Sequence, residues 1–118
     1  MKKVYYLDTC DTCKRILNEL QLPSQFIKHE IKQNEIPVKE LEALQKLAGS
    51  YEALFSKRAK LYKERGLKDE PLTEEDYKRF ILEHYTFLKR PVVVNENEIF
   101  VGNSKKTIET AKASIHKS

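Results

Sequence analysis

Glycine is scarce in this sequence, with three residues among 118, and no two of them form a Gly-x-Gly cluster. This scarcity argues against a glycine-rich nucleotide-binding loop. Long apolar runs are also lacking, because no stretch approaches the length that crosses a membrane. The apolar stretch near the start ends at Asp8, which is too early for a signal peptide. We therefore expect a cytoplasmic protein that does not act at a membrane.

Neither sign of charge dominates the chain. Lys and Arg total 22 against 18 Asp and Glu, and the two signs are interspersed. Proteins that bind nucleic acid usually concentrate basic residues on one face or in a tail. The clearest local excess here is only residues 57–60, so we do not expect direct binding of nucleic acid. A surface that meets anions remains open.

The length and the 40% hydrophobic content allow one core, so we predict a single domain over residues 1–118. A strand rich in Val and Tyr is predicted over residues 2–7, and a weaker strand over residues 25–31. Between them, apolar residues at three- and four-residue spacing from Cys13 to Leu20 predict a helix. Helical patterns then continue over about residues 37–88.

This helical block contains two apolar stripes. The first is predicted on Val38, Leu41, Leu44, Leu47 and Ala48. The second covers residues 77–88, and Thr73 with Asp76 forms a helix-capping pair before it. A turn is predicted at Gly66.

A β-hairpin and a helix are predicted after the block. Val92, Val93 and Val94 form a strongly strand-forming run, and a turn at residues 95–97 leads into a second strand. Ser104 precedes the final helix. This order indicates an α/β protein with a thioredoxin-like fold, a small mixed β-sheet and a helical insertion. Periodicity alone does not separate that fold from other α/β arrangements.

Cys10 and Cys13 form a Cys-x-x-Cys motif where the first strand gives way to the first helix. This is the expected place for a thioredoxin-like redox motif in a cytosolic βαβ pattern. Unpaired N–H groups and the helix dipole stabilise a thiolate at a helix N-terminus. Since Cys13 belongs to the inward stripe, we expect Cys10 to be exposed and to attack the substrate, and Cys13 to be shielded and to resolve the adduct as a disulfide.

Two other interpretations of the cysteines stay open. In the first interpretation, Cys13 is a core residue and Cys10 is an incidental surface thiol, since free cysteine is often buried. The second is a zinc site, which normally needs four ligands. The remaining candidates, His29, His84 and His116, are scattered singly, so we predict no metal site.

Three blocks of the sequence resemble the ArsC and Spx family of thioredoxin-like proteins. They are residues 5–10 (Tyr-Tyr-Leu-Asp-Thr-Cys), residues 54–58 (Leu-Phe-Ser-Lys-Arg) and residues 88–94 (Leu-Lys-Arg-Pro-Val-Val-Val). They occur in the order and spacing of that family. With the Val101-Gly102 turn, the resemblance covers almost the whole chain.

The resemblance implies a role for several of these residues. The first cysteine of the family is the nucleophile, and arginines from the helical block and from before a proline help to bind an oxyanion. Cys10, Arg58 and Arg90 take those places here, and Pro91 takes the place of the cis-proline that faces the active site. Arg58 is equally well read as a solvated side chain in a basic stretch.

The chain departs from the arsenate reductases at two places. Their Asn-Pro pair before the cysteine is replaced around Leu7 and Asp8, and their third arginine after the hairpin is absent. Lys105 or Lys106 supplies positive charge there, without the bidentate fork of an arginine. Either lysine also fits a side chain that simply points into water.

Two functions follow as expectations. The first is an arsenate reductase-like thiol oxidoreductase that reduces arsenate, another oxyanion or a disulfide. It would need no bound cofactor, only an external reductant such as glutathione with glutaredoxin, or thioredoxin. The second is an Spx-type redox-sensing transcriptional regulator that binds the RNA polymerase α subunit. In that case the cysteines switch a surface and turn nothing over.

Overall fold

The computed structural model describes residues 1–117, which form two compact units. The first unit combines Met1–Asn34 with the segment that begins at Arg90, and the second unit is Glu35–Lys89. The second unit corresponds closely to the helical insertion predicted at about residues 37–88. The first unit is therefore discontinuous in sequence, since its two segments lie on either side of the second unit.

The helices and strands follow the predicted order of strand, helix, strand, helical block, hairpin and helix. Along the chain they are β1 (Lys2–Tyr6), α1 (Asp11–Leu20), β2 (Ile27–Glu30), α2 (Val38–Ala48), α3 (Lys60–Glu64), α4 (Glu74–Glu83), β3 (Val92–Asn95), β4 (Glu98–Val101) and α5 (Lys105–Ile115). Short 3-10 helices at Glu52–Leu54, Leu67–Asp69 and Tyr85–Phe87 complete the second unit. Within residues 1–117, no helix has the length and apolar character needed to span a membrane.

The first unit is built on a mixed sheet with the strand order β2-β1-β3-β4. β1 pairs in parallel with β2 and antiparallel with β3, and β3 pairs antiparallel with β4. Val4 lies opposite Val93 at the centre of this sheet. The parallel pairing brings the carboxyl ends of β1 and β2 to one edge of the sheet. The loop that carries Cys10 begins at that edge.

The core of the first unit lies between the sheet and the helices α1 and α5. Its buried side chains are Val4, Ile16, Leu20, Phe26, Val93, Ile108 and Ala111. The inward positions of α1 follow the predicted spacing, because Cys13, Ile16 and Leu20 are all buried. Packing this apolar face against the sheet holds α1 in place, since a helix of this length is marginal in water by itself.

The core of the second unit combines buried aliphatic side chains with a cluster of aromatic rings. The Phe55 and Phe87 rings stack with centroids 5.3 Å apart, and the Tyr77 ring lies 4.8 Å from Phe55. An isolated antiparallel bridge joins Phe55 to Leu88. The flanking backbone bonds run from the Ser56 N–H to the Phe87 carbonyl and from the Lys89 N–H to the Leu54 carbonyl. The bridge ties the segment before Arg58 to the segment before Arg90.

Two details of the helical block differ from the predicted stripes. Val38 is 48% exposed because it is the first residue of α2, before the turns whose side chains Leu41 and Leu44 are buried. The predicted stripe over residues 77–88 is not one helix, since α4 ends at Glu83. His84 has an extended backbone, and its Nδ1 accepts the Thr86 N–H at 3.0 Å. This side-chain cap starts a separate 3-10 helix.

The predicted helix start and turns are confirmed. Thr73 accepts the Asp76 N–H and the Asp76 carboxylate accepts the Thr73 N–H, which forms a capping box. Gly66 has φ of 64°, in the left-handed region that favours glycine. The β3–β4 hairpin turns through Glu96, whose φ is also positive.

Candidate active site

Cys10 is the N-cap residue of α1 and is partly exposed. Its backbone is extended, and its carbonyl oxygen accepts the Lys14 N–H at 3.1 Å as the first bond of the helix. The thiol makes no side-chain capping hydrogen bond. The N–H groups of Thr12 and Cys13, in the first helical turn, nevertheless act on the Cys10 sulfur and have no intrahelical acceptor.

Cys13 lies one turn further along α1 and is 1% exposed. Both cysteines are free thiols in this structure. The predicted asymmetry of exposure is therefore observed, with Cys10 facing outward and Cys13 facing the core. This matches the pairing of an attacking thiol with a protected second thiol, although exposure alone does not assign these roles.

The pKa of the Cys10 thiol is lowered below its ordinary value. Partial burial acts to raise this pKa, but the Cys13 backbone N–H and the Cys13 thiol outweigh it. The charge of Arg90 and the Thr12 N–H add to the lowering. Each of these groups stabilises negative charge on sulfur, so more of Cys10 is thiolate at neutral pH.

Burial raises the pKa of the Cys13 thiol to about 11. A hydrogen bond with Cys10 and the negative charge of the Cys10 thiolate contribute to this rise, while the Leu7 backbone and the charge of Arg90 oppose it. As the pH rises, Cys10 therefore loses its proton before Cys13 does.

Arg90 reaches this site from the other segment of the first unit. It is half-buried, it is joined to β3 through Pro91, and its charge acts on both thiols. The Arg90–Pro91 peptide bond is cis, as the resemblance implies. The Gly102 N–H donates to the Pro91 carbonyl at 2.9 Å, which ties this junction to the end of β4.

The other two predicted anion-binding residues are exposed side chains. Lys105 is exposed at the first position of α5, directly after the N-cap Ser104. Arg58 is exposed in the second unit, next to Lys57, which pairs with Glu52 at 2.7 Å. Their role in anion binding stays a prediction.

Glu30 is a site residue that the sequence did not single out. Its carboxylate accepts the Asp8 N–H at 2.9 Å and the Gln33 N–H at 2.7 Å. Asp8 lies in the turn that leads to Cys10. No local pattern marks such a contact, because it depends on β2 lying parallel to β1.

The described residues contain no group of three or more His, Cys, Asp and Glu side chains that could hold a metal ion. The three histidines make separate local contacts instead. His29 Nε2 and His116 Nε2 each lie 2.7 Å from a backbone carbonyl oxygen, that of Asn34 and that of Leu20. His84 caps the 3-10 helix described above.

Residues 5–111 match the model of the ArsC family. Among curated proteins, the global transcriptional regulator Spx of Bacillus subtilis (strain 168) is 23% identical over 112 residues, which cover 92% of this chain and 84% of that protein. The global transcriptional regulator Spx 2 of Bacillus cereus is 26% identical over 110 residues, covering 89% of this chain and 82% of that protein.

Solved structures give the same grouping. An ArsC family related protein from Bacteroides fragilis superposes with a TM-score of 0.75 at 26% identity, covering 93% of this chain and 96% of its own. An arsenate reductase from Vibrio cholerae has a TM-score of 0.73 at 22% identity, covering 93% of both chains. The likeness to the latter concerns the fold alone. Together they confirm the predicted thioredoxin-like α/β fold.

Proposed function

The chain belongs to the ArsC family, and on that premise we propose that it is a small thiol-dependent oxidoreductase with Cys10 as nucleophile and Cys13 as resolving thiol. The observation that carries this proposal is the inequality of the two thiols. Cys10 is accessible with a lowered pKa, and Cys13 is buried with its pKa raised to about 11. An attacking thiol must be ionised and exposed, whereas a resolving thiol must not react first.

The proposed reaction moves two electrons from the thiols to the substrate. With a disulfide, the Cys10 thiolate forms a mixed disulfide and expels one substrate thiolate. Cys13, losing its proton, then attacks the Cys10 sulfur and expels the second thiolate. With an oxyanion such as arsenate, Cys10 displaces an oxygen from the central atom, which leaves as water. Attack by Cys13 on Cys10 then returns the sulfur–substrate electron pair to the central atom, which is reduced by two electrons.

Formation of the adduct also prepares the second step. The negative charge of Cys10 is one of the causes that raise the pKa of Cys13. That charge disappears once the Cys10 sulfur is bound to substrate, so Cys13 becomes easier to deprotonate when its attack is needed. Both routes end in a Cys10–Cys13 disulfide. An external reductant, either glutathione with glutaredoxin or thioredoxin, supplies two electrons to reopen it, which suits a cytoplasmic location.

Arg90 is the proposed anion-binding residue of the first unit. Its guanidinium already favours negative charge at both thiols, and its attachment to β3 limits its freedom. A positioned guanidinium offers two parallel donors to an oxyanion. Arg58 and Lys105 are proposed, from the family resemblance and from charge, to contribute to anion binding as well.

A turnover assay tests this function directly. The chain is incubated with arsenate or with a model disulfide, each with the glutathione–glutaredoxin system and with the thioredoxin system, and NADPH consumption through the matching reductase is followed. Multiple turnovers with at least one pair are expected, and Cys10→Ser is the matched control. Absence of turnover above that control for every pair would contradict the proposal.

The Spx relatives favour one second candidate. The match covers 92% of this chain and 84% of the Bacillus subtilis regulator. In this case, Cys10–Cys13 oxidation would switch a surface that binds the RNA polymerase α subunit. A stoichiometric pull-down of that subunit, compared between reduced and diamide-treated chain, tests this candidate. Redox-dependent binding without turnover would favour the regulator over the enzyme.

A further inference from the structure

Cys10 enters α1 from a tight turn. Its N–H donates to the Leu7 carbonyl oxygen at 3.1 Å, which closes the turn over Asp8 and Thr9. A turn of this kind makes one backbone bond between its ends and leaves the N–H groups of its two central residues without an acceptor inside the turn. Each of these two N–H groups therefore needs an acceptor from water or from elsewhere in the chain. A fixed acceptor for the Asp8 N–H would hold the turn that leads to Cys10.

Glu30 provides that acceptor from the neighbouring strand. One carboxylate oxygen accepts the Asp8 N–H at 2.9 Å, and the other accepts the Gln33 N–H at 2.7 Å. Tyr6 and Glu30 are partners in the parallel β1–β2 ladder, so the loops after both strands start at the same level. A single carboxylate thus holds the loop after β1 and the loop after β2.

The carboxylate is itself well anchored. The Ile31 N–H donates to the Tyr6 carbonyl at 2.9 Å, which continues the ladder past the end of β2. The Asn34 N–H donates to the Glu30 carbonyl at 3.2 Å. Glu30 is half-buried, and although burial acts to raise its pKa, the two accepted N–H groups and Lys32 lower it. Glu30 therefore stays ionised and keeps both acceptor oxygens at neutral pH.

We propose that Glu30 is a positioning residue for Cys10, which holds the Leu7–Cys10 turn so that the sulfur stays over the N–H groups of the first turn of α1. This inference rests on the proposed function in one respect, because it takes Cys10 as the reacting thiol. Glu30 touches neither the sulfur nor the substrate. It acts through the backbone of Asp8.

Positioning and charge predict opposite effects on Cys10. If Glu30 acted on the thiol through its negative charge, its removal would lower the pKa of Cys10 and speed its reactions. If Glu30 acts by holding the turn, its removal loosens the contact between the sulfur and the Cys13 and Thr12 N–H groups. The pKa of Cys10 then rises and its reactions slow. The sign of the change distinguishes the two.

Glu30→Gln is the test variant, and the second unit offers a matched control. Glu74 also accepts two backbone N–H groups, from Tyr51 at 2.6 Å and from Glu52 at 3.1 Å. Glu74→Gln therefore makes the same chemical change in the unit that carries no cysteine. Alkylation of Cys10 by iodoacetamide is followed from pH 5 to pH 10, with the labelled residue assigned by fragment-ion mass spectrometry.

We expect Glu30→Gln to slow alkylation of Cys10 at pH 7 by about fivefold, the factor that one ordinary hydrogen bond is worth. Its alkylation midpoint should move to higher pH, and Glu74→Gln should leave both values unchanged. An unchanged or faster rate in Glu30→Gln overturns the inference. Iodoacetamide labelling needs no physiological substrate, so the result stands apart from the turnover assay.

Glu30→Asp keeps the test valid if the glutamine variant folds poorly. Aspartate retains the charge but is one methylene shorter, so it cannot hold both N–H groups at the observed distances. We expect slower alkylation in the same direction, with circular dichroism confirming the fold. A wild-type rate in a folded Glu30→Asp would overturn the proposal, because loss of the two hydrogen bonds would then leave Cys10 unaffected.

Discussion

The N-terminal turns of α4 and α1 each carry a pair of functional side chains three residues apart, but the two pairs make different contacts. At α4, Thr73 accepts the Asp76 N–H at 3.3 Å, and the Asp76 carboxylate accepts the Thr73 N–H at 2.9 Å. At α1, Cys10 takes the place of Thr73 and Cys13 takes the place of Asp76. No side-chain capping bond forms at Cys10.

The difference follows from the acceptor atom. A hydroxyl or carboxylate oxygen accepts the N–H groups at all times, and the helix gains stability from them. A thiol sulfur is a weak acceptor, so the same N–H groups favour mainly its ionised form. The capping position therefore supplies helix stability in α4 and thiol acidity in α1. Ser104, the N-cap residue of α5, caps its helix as Thr73 caps α4, since it accepts the Thr107 N–H at 3.1 Å.

The largest effect is expected when the N-cap thiol of α1 is replaced by a serine hydroxyl. Cys10→Ser should abolish turnover, because the hydroxyl is not ionised at neutral pH and cannot form the covalent adduct. Turnover with each substrate and reductant pair is the measurement. A variant that retained more than background activity would show that the motif is not the reacting group.

Cys13→Ser separates the second step from the first. We expect it to accumulate a Cys10 adduct with the substrate or with glutathione, because no resolving thiol remains. Treatment of the wild-type chain with diamide should give an intramolecular disulfide, seen by mass spectrometry as the loss of two hydrogens. If diamide gave only dimers or separate thiol adducts, the resolving role of Cys13 would be wrong.

The next largest effect is expected from removing Arg90, whose charge lowers the pKa of Cys10 together with the N–H groups of α1. Arg90→Ala should reduce turnover of an oxyanion substrate by about two to three orders of magnitude, the usual cost of losing a positioned donor to a developing anion. Lys105→Ala removes the same charge from an exposed side chain and should cost little. Arg90→Lys should recover only part of the activity, since it lacks the planar fork.

Thermal unfolding serves as the control measurement for the Arg90 variants, whose melting temperatures should be close to that of the wild type. Equal turnover in Arg90→Ala and the wild type, with an unchanged pKa of Cys10, would remove Arg90 from the site. The regulator alternative would then gain support, because it needs no anion site.

A smaller effect should appear in the titration of the two thiols. Since the pKa of Cys10 is lowered and that of Cys13 is raised to about 11, Cys10 alkylation should reach half its maximum below the free-thiol value of about 8.5. Cys13 should react only well above it. Alkylation rates against pH, measured with each residue labelled separately, check this. Equal midpoints would contradict the asymmetry on which the proposed roles depend.

The smallest effects are changes in stability at the helix starts. Thr73→Ala should lower the free energy of unfolding by about 1 kcal/mol, because α4 loses its cap. At acid pH, where Cys10 is a neutral thiol, Cys10→Ser should raise it by a few tenths of a kcal/mol, roughly, since serine is a good N-cap residue. Urea unfolding of both variants against the wild type measures this. A destabilised Cys10→Ser chain would mean that the thiol already caps α1 in its neutral form.

Local patterns predicted much of the fold. The Cys13, Ile16 and Leu20 stripe, the Thr73–Asp76 cap and the β3–β4 hairpin are each determined by residues close in sequence. The helix over residues 77–88 was predicted too long for the same reason. His84 fits the apolar spacing, but its side chain competes for the Thr86 N–H and interrupts the helix.

The candidate site was predicted only where its residues lie in recognisable motifs. Cys10 and Cys13 stand at a strand–helix junction that periodicity identifies, and Arg90 was assigned by family resemblance. Glu30 was missed because its contact with Asp8 exists only once β1 and β2 pair in parallel. An isolated glutamate in a weak strand carries no sign of its partner.

The discontinuity of the first unit sets an order of events during synthesis. The ribosome delivers β1, α1 and β2 first, but β3, which pairs with β1, follows only after the whole of the second unit. The second unit is continuous in sequence, whereas the apolar face of the cysteine-bearing helix is covered only after α5 has been made. Until then the nascent chain leaves Cys13 accessible to oxidants and to other chains, whereas Cys13 is buried in the folded protein.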